Sequence, residues 1–228
     1  MDFSAFEERI GKEFRDKRLL EAAFTHRSYL NENRRVGAEH NERLEFLGDA
    51  VLELVVTEFL YAKYPEKPEG DLTAYRAALV NTQSISMAAQ ELGMNEFLLL
   101  SRGESRDTGR ARQIILANAF EAIIGALYLD QGYDASKDLI AAQLFAKVDE
   151  VVEKKLWHDA KSKFQELVQE RASVTPTYQM IDQSGPDHDK KFVIGAYIGS
   201  ERVATGEGKS KQEAEQDAAQ KAIVAKGW

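Results

Sequence analysis

The chain has 228 residues, 43% of them hydrophobic and 30% charged, with a formal net charge of −8. That is material for one large packed domain or two smaller ones, and it excludes a disordered chain. The lack of cysteine excludes a disulfide scaffold and any thiolate metal site, so a bound metal must rest on carboxylates; it also fits a reducing, cytoplasmic compartment. The opening, MDFSAFEERIGKEF, carries charges every few residues, unlike the apolar stretch of a secretory signal. Apolar residues then recur at helical spacing over 3–10, 16–24, 41–64, 71–92, 112–129 and 134–153. Turn residues cluster between them, in NENRRVGAEH, YPEKPEG and SRGESRDTGRAR. No apolar run approaches the ~18–20 residues of a bilayer span, so no membrane is expected.

From Val151 to Asp159 the chain is charged and reads as a joint. Beyond it the pattern changes. KSKFQELVQERAS reads as an amphipathic helix with Phe164, Leu167 and Val168 inward. TPTYQMIDQSG, KKFVIGAYIGS and ERVATGEGKS are strand-like runs rich in β-branched and aromatic residues. KQEAEQDAAQKAIVAK closes the chain as an alanine-rich helix that packs through Ala214, Ala218 and Ala222. The expected architecture is an all-α unit over 1–150, a linker over 151–157 and an α+β unit of order α-β-β-β-α over 158–228.

Charge divides unevenly between these units. Residues 1–150 hold 26 acidic and 18 basic residues, whereas residues 151–228 hold 12 of each. The acidic excess belongs to the helical unit, where it can gather divalent cations. The second unit remains free to set its lysines on one face, and distribution matters more than the total.

The segment HNERLEFLGDAVLELVVTEFL is apolar enough to be largely buried, yet Glu42, Glu45, Asp49 and Glu53 share one helical face. Stacked acids repel unless solvent or a cation separates them, and hard oxygen ligands suit Mg²⁺. In ILANAFEAIIGALYLD, Asn118 and Glu121 form a second i,i+3 polar pair. Two facing helices with such pairs can build a metal site. Gly48, between Glu45 and Asp49, would let the second helix approach, and Gly125 continues the matching face. The same spacing also fits a solvated acidic face, above all at Glu53.

HNERLEFLGDAVL resembles the signature of the bacterial ribonuclease III family nearly residue for residue. FTHRSYLNE, GDLTAYRAALVN and ILANAFEAIIGALYLD resemble that family's other blocks, in its order, and the C-terminal unit resembles a double-stranded RNA-binding domain. The resemblance covers essentially the whole chain. It implies an endoribonuclease that cleaves double-stranded RNA by Mg²⁺-dependent hydrolysis, with Mn²⁺ as a substitute. Products with 5′-phosphate and 3′-hydroxyl ends and short 3′ overhangs are implied, as are roles in rRNA and mRNA processing. The implied partners are duplex RNA and a second copy of the chain, with no nucleotide cofactor. Position by position, it places metal ligands at Glu45, Asp49, Asn118 and Glu121, with Asp49 and Glu121 catalytic. Glu42 and Asp71 become supporting acids of the cleavage valley and Phe46 a dimer contact. One position departs: Asn118 stands where the family usually has aspartate. That leaves open a non-catalytic double-stranded RNA-binding protein that keeps the fold.

Recognition of A-form RNA by shape needs contacts to two minor grooves and to the phosphates between them. In GEGKSKQEAEQ, Lys209, Ser210 and Lys211 open the last helix, where lysines and free backbone N–H groups suit phosphate. His188, in the turn GPDHDKK, suits one minor groove, and Gln165 and Glu166 on the preceding helix suit the other. Three further features are read with less chemistry attached. His26 is expected to make a structural hydrogen bond at a helix end. Tyr61 and Tyr64 are expected in a core or interface, and Trp157 and Trp228 packed near the joint and the C-terminus. Arg102, Arg106, Arg110 and Arg112 are either phosphate contacts or parts of a solvated loop.

Overall fold

In the computed structural model, which describes residues 2–33, 39–153, 160–186 and 190–228, the chain begins with three short helices. These are α1 (Ser4–Ile10), α2 (Lys17–Phe24) and α3 (Arg27–Glu32). Phe3, Phe6, Phe24 and Phe97 pack as an aromatic cluster with ring centroids 4.8–6.3 Å apart. α3 falls where no helix was expected, mostly ahead of the turn stretch at 31–40. None of its six residues is fully buried, so hydrophobic periodicity could not report it; His26 caps its start.

The unit is organised by two 22-residue helices, α4 (Glu42–Lys63) and α7 (Arg110–Gln131), packed along one another. Ile115, Leu116, Phe120, Ile123, Ile124 and Leu127 of α7 are buried in the core with Leu44, Val51, Leu52, Val55 and Val56 of α4. By length and composition α7 could cross a membrane, contrary to the expectation from the sequence, but most of its apolar surface is buried inside the unit. The approach of the two helices is set by glycine. A Cβ on Gly48 would collide with the carbonyl oxygen of Glu121, and one on Gly125 with that of Leu44.

The stretch 71–92, expected as one helix, is two: α5 (Glu69–Val80) and α6 (Thr82–Glu91). Asn81 makes the break. Its backbone is extended, its side-chain nitrogen donates to the carbonyls of Ala77 and Ala78, and its oxygen accepts from Ser84 N–H at 2.9 Å. One residue thus satisfies the orphan groups of both helix ends. Similarly 134–153 divides into α8 (Tyr133–Leu144), a single 3₁₀ turn (Phe145–Lys147) and α9 (Val148–Glu153).

The chain separates into two units, Met1–Trp157 and His158–Trp228. α9 continues through Glu153, into the stretch read as linker. Trp157 and His188 lie outside the described residues. The second unit runs α10 (Ala160–Ala172), β1 (Thr177–Ser184), β2 (Lys191–Ile198), β3 (Glu201–Gly208) and α11 (Lys211–Lys226), with the strands antiparallel in that order. Phe164, Val168, Ala196, Ala218, Ala219, Ala222 and Ile223 form its core. A Cβ on Gly206 would strike the backbone of Ala218, so α11 touches β3 through small residues on both sides. Trp228 covers the far end, with its ring 6.1 Å from that of Phe164 and the Arg171 guanidinium 5.3 Å from its centroid.

Candidate active site

α4 and α7 bring the expected acids to one place. Glu45 and Glu121 are half-buried and Asp49 is exposed beside them. Burial, reinforced by the charges of Asp49 and Glu45, pushes the Glu121 carboxyl up to about 8. Glu45 is raised by burial and by the charges of Glu42 and Asp49, while a hydrogen bond from Asn118 works in the opposite direction. Asn118, half-buried one turn before Glu121, therefore reaches across to the α4 acids.

Among the described residues, no Lys or Arg pairs with Glu45, Asp49 or Glu121, and no three acidic or histidine side chains close into a ready-made metal shell. The donor set nonetheless fits a hard divalent cation: oxygen ligands on two helices, with charge that nothing at hand offsets. The structural alternative applies at Glu53, whose carboxylate pairs with Arg76 at 3.1 Å. Glu42 stands beside the cluster, 3.4 Å from Arg27 and 3.9 Å from His40. Asp71, in the first turn of α5, lies 3.9 Å from Lys67, and among the described residues no hydrogen bond or ion pair joins it to the cluster. Phe46 points outward from the same turn as Glu45 with 82% of its surface exposed.

The arginines before α7 have distinct roles. Arg112 donates to the carbonyls of Glu104 at 2.6 Å and Asp107 at 3.1 Å and to Asn95, which folds the loop onto its own helix. Arg102, Arg106 and Arg110 are exposed with no acidic partner among the described residues. Tyr61 is 75% exposed and not part of the core, whereas Tyr64 packs edge-on against Tyr75 at 5.5 Å.

In the second unit Gln165 and Glu166 lie on the exposed face of α10, and Lys209 and Lys211 flank the start of α11 with exposed side chains. The backbone there is less available than expected. Ser210 Oγ accepts from Glu213 N–H at 3.1 Å, and Glu213 accepts in return from Lys209 N–H at 2.8 Å. This reciprocal cap consumes two of the N–H groups that could have met phosphate, leaving the task to the lysine ammonium groups. Glu215 is neutralised by Lys161, 2.6 Å away, so its charge does not stand alone beside them. Nothing in the sequence pattern links residues 161 and 215.

The Ribonuclease-III-like family profile matches residues 16–148, and the double-stranded RNA binding motif matches residues 160–224. Ribonuclease 3 of Bacillus licheniformis is 47% identical over 222 residues, covering 97% of this chain and 89% of that protein. Ribonuclease 3 of Enterococcus faecalis is 46% identical over 218 residues, covering 95% and 94% respectively. Among solved structures, the nuclease domain of Ribonuclase III from Campylobacter jejuni is 42% identical with a TM-score of 0.56, covering 62% of this chain and 98% of that one. A description of that structure refers to a region involved in dimer formation.

Proposed function

The chain belongs to the ribonuclease III family and is an endoribonuclease with a double-stranded RNA-binding motif, and from that premise we propose that it hydrolyses duplex RNA with a divalent cation at the α4–α7 acids. The observation that carries this reading is the half-buried Glu121 facing Asp49 and Glu45, its carboxyl raised by them and by burial, with no Lys or Arg among the described residues paired to the three. Structural carboxylates are ordinarily paired, as Glu53 is; an unpaired cluster that raises its own pKa values is the usual mark of a working site. Glu45, Asp49 and Glu121 would hold the cation, with the amide oxygen of Asn118 as a neutral fourth donor. Mg²⁺ is the natural occupant and Mn²⁺ its substitute. When bound, such a cation supplies Lewis-acid charge to the phosphodiester and activates water for in-line attack.

The chain's own contribution is to orient. Asn118 holds Glu45 toward α7, and Glu121 gives up the proton it keeps in the metal-free protein. Glu42 adds negative charge beside Glu45, and Asp71 would serve as a supporting acid only toward a bound duplex. Hydrolysis of this kind leaves 5′-phosphate and 3′-hydroxyl ends, and a two-fold pair of sites acting on the two strands would leave short 3′ overhangs. Such a pair needs a homodimer, which is supported by the exposed apolar residues Phe46, Leu54 and Tyr61 on the outer side of α4, 82%, 58% and 75% accessible. An apolar stripe of that kind seeks a partner. Gln165, Glu166, His188, Lys209 and Lys211 would grip the duplex, with Ser210 shaping the helix start. The natural substrates would be rRNA and mRNA precursors in the cytoplasm.

Asn118 favours a second reading, in which the chain binds duplex RNA and no longer cuts it. An amide carries no charge and weakens cation recruitment. Incubating the full chain and its Asn118→Asp variant with a long RNA duplex across a Mg²⁺ series separates the two. Cleavage by both, at a lower Mg²⁺ midpoint in the variant, supports catalysis. Cleavage by the variant alone supports the binding-only reading for this chain.

A further inference from the structure

Three segments of the first unit meet at Thr25–Ser28. The Thr25 carbonyl accepts from Asn41 N–H at 2.9 Å, just before α4, while His26 N–H donates to Leu99 O at 3.0 Å and Leu99 N–H to Phe24 O at 2.9 Å. The His26 side chain works on a different set. Its Nδ1 accepts from Ser28 N–H at 3.3 Å and lies 2.8 Å from Ser28 Oγ. Ser28 Oγ accepts from Ser101 N–H at 3.1 Å, so its single proton is available for Nδ1. With two donors converging on it, Nδ1 must present a lone pair: the ring is neutral and carries its proton on Nε2.

The relay continues outward. Ser101 Oγ accepts from Glu104 N–H at 3.2 Å, and Glu32, at the other end of α3, accepts from Arg102 N–H at 3.1 Å. Both ends of a six-residue helix therefore hold the segment that follows Leu100, while Arg112 holds it from the α7 side through the Glu104 and Asp107 carbonyls. That segment carries Arg102, Arg106 and Arg110, the guanidinium groups left without an acidic partner among the described residues. Three cations on a tethered loop, leading into the helix that bears Glu121, suit the phosphates of a duplex laid across the acids.

We propose that His26 is a positioning residue for RNA cleavage: acting through Ser28 and Ser101, its neutral imidazole fixes the loop that carries Arg102, Arg106 and Arg110 against the substrate backbone. This rests on the reading of the α4–α7 acids as the cleavage site. His26 does not touch the scissile bond, so its influence falls on substrate engagement and not on the chemical step. Acid should undo the relay, because a protonated Nδ1 repels both of its donors. Burial holds the ring neutral to a lower pH than an exposed histidine. Arg27 and His40 act in the same direction, and Glu104 and Glu42 against it.

The test uses the full chain, a long RNA duplex and Mg²⁺. His26→Ala should raise KM roughly five-fold, the equivalent of one lost tethering hydrogen bond, while kcat changes less than about two-fold. Hydrogen exchange at the Ser101 and Glu104 amides should lose protection in the same variant. His26→Asn, whose side-chain oxygen accepts from Ser28 N–H but does not titrate, should restore KM and protection. It should also keep that protection on acidification, where the parent chain loses it. Ser28→Ala should match His26→Ala, and the double variant should be no worse than either, since both break one relay. Unchanged amide protection in His26→Ala and Ser28→Ala, or a loss confined to kcat, would overturn the proposal. If no chain in the series cleaved duplex RNA, the same series on the Asn118→Asp background would supply the cleavage readout: no cleavage there either would sink the site assignment, and amide exchange would still decide the relay.

Discussion

Glu121→Gln should make the metal-free protein more stable and the enzyme inactive. In the folded chain the Glu121 carboxyl is raised to about 8 by burial and by Asp49 and Glu45, whereas in the unfolded chain it returns to the ordinary 4.5. Below pH 4.5 both states hold the proton and the residue is neutral toward folding. Between 4.5 and 8 the folded state keeps a proton that the unfolded state has released, so stability falls as pH rises, and above 8 the full penalty stands. The shift corresponds to about 5 kcal/mol at 1.36 kcal/mol per unit. Glu121 is only half-buried, so water screens part of that, and roughly 1–3 kcal/mol is the working figure. Glutamine matches the shape and never ionises. At pH 8 in chelator, the variant's first unit should therefore unfold several degrees above the parent by calorimetry, and at pH 4.5 the two should coincide. Millimolar Mg²⁺ should then stabilise the parent more than the variant and release protons as it binds. Duplex binding should stay nearly unchanged, because it rests on the second unit, while cleavage disappears. A stability difference that does not vary with pH would refute the argument, since it would mean that Glu121 is not held protonated by its neighbours.

Asn118→Asp should lower the Mg²⁺ midpoint for cleavage, because a fourth charge in a poorly screened place strengthens cation attraction; Mn²⁺ should partly rescue the parent chain. An unchanged rate and midpoint would place residue 118 outside the working shell. Gly125→Ala should separate α7 from α4 at the Leu44 carbonyl, costing about 1–3 kcal/mol in melting and raising the Mg²⁺ requirement, while the isolated-duplex affinity of the chain is retained. Lys211→Ala should weaken RNA binding equally for all duplex sequences and flatten its salt dependence, as loss of one phosphate contact does; a sequence-selective effect in a titration would contradict the assignment.

Much of the fold was legible because it is built by burial. α4 and α7 show apolar residues around most of their circumference, and the strands of the α-β-β-β-α unit stand out as β-branched and aromatic runs between turn residues. What periodicity misread was decided by single polar side chains. Asn81 interrupts a stretch whose apolar spacing runs on through it, and only its capacity to cap in both directions marks the break. The one available signal was an Asn followed by Thr, Gln and Ser, a helix-start composition inside an apparent helix. α3 has no fully buried residue and spans under two turns, so periodicity had too little to report and a capping argument was the better guide.

The site divides along the same line. Spacing alone was enough to put Glu45 and Asp49 on one face, and glycines at 48 and 125 announced that another helix would come close. Which acids folding pairs could not be read that way, because Glu53 continues the spacing of Glu45 and Asp49. The difference is a partner: Arg76 sits on α5, 23 residues away in sequence, and pairs with Glu53, while among the described residues no Lys or Arg pairs with Asp49, Glu45 or Glu121. The same holds for the arginines before α7. Four look alike in the sequence, yet Arg112 is consumed by backbone carbonyls and the other three are left facing outward. Spacing identifies the candidates, and long-range pairing removes those that are merely structural.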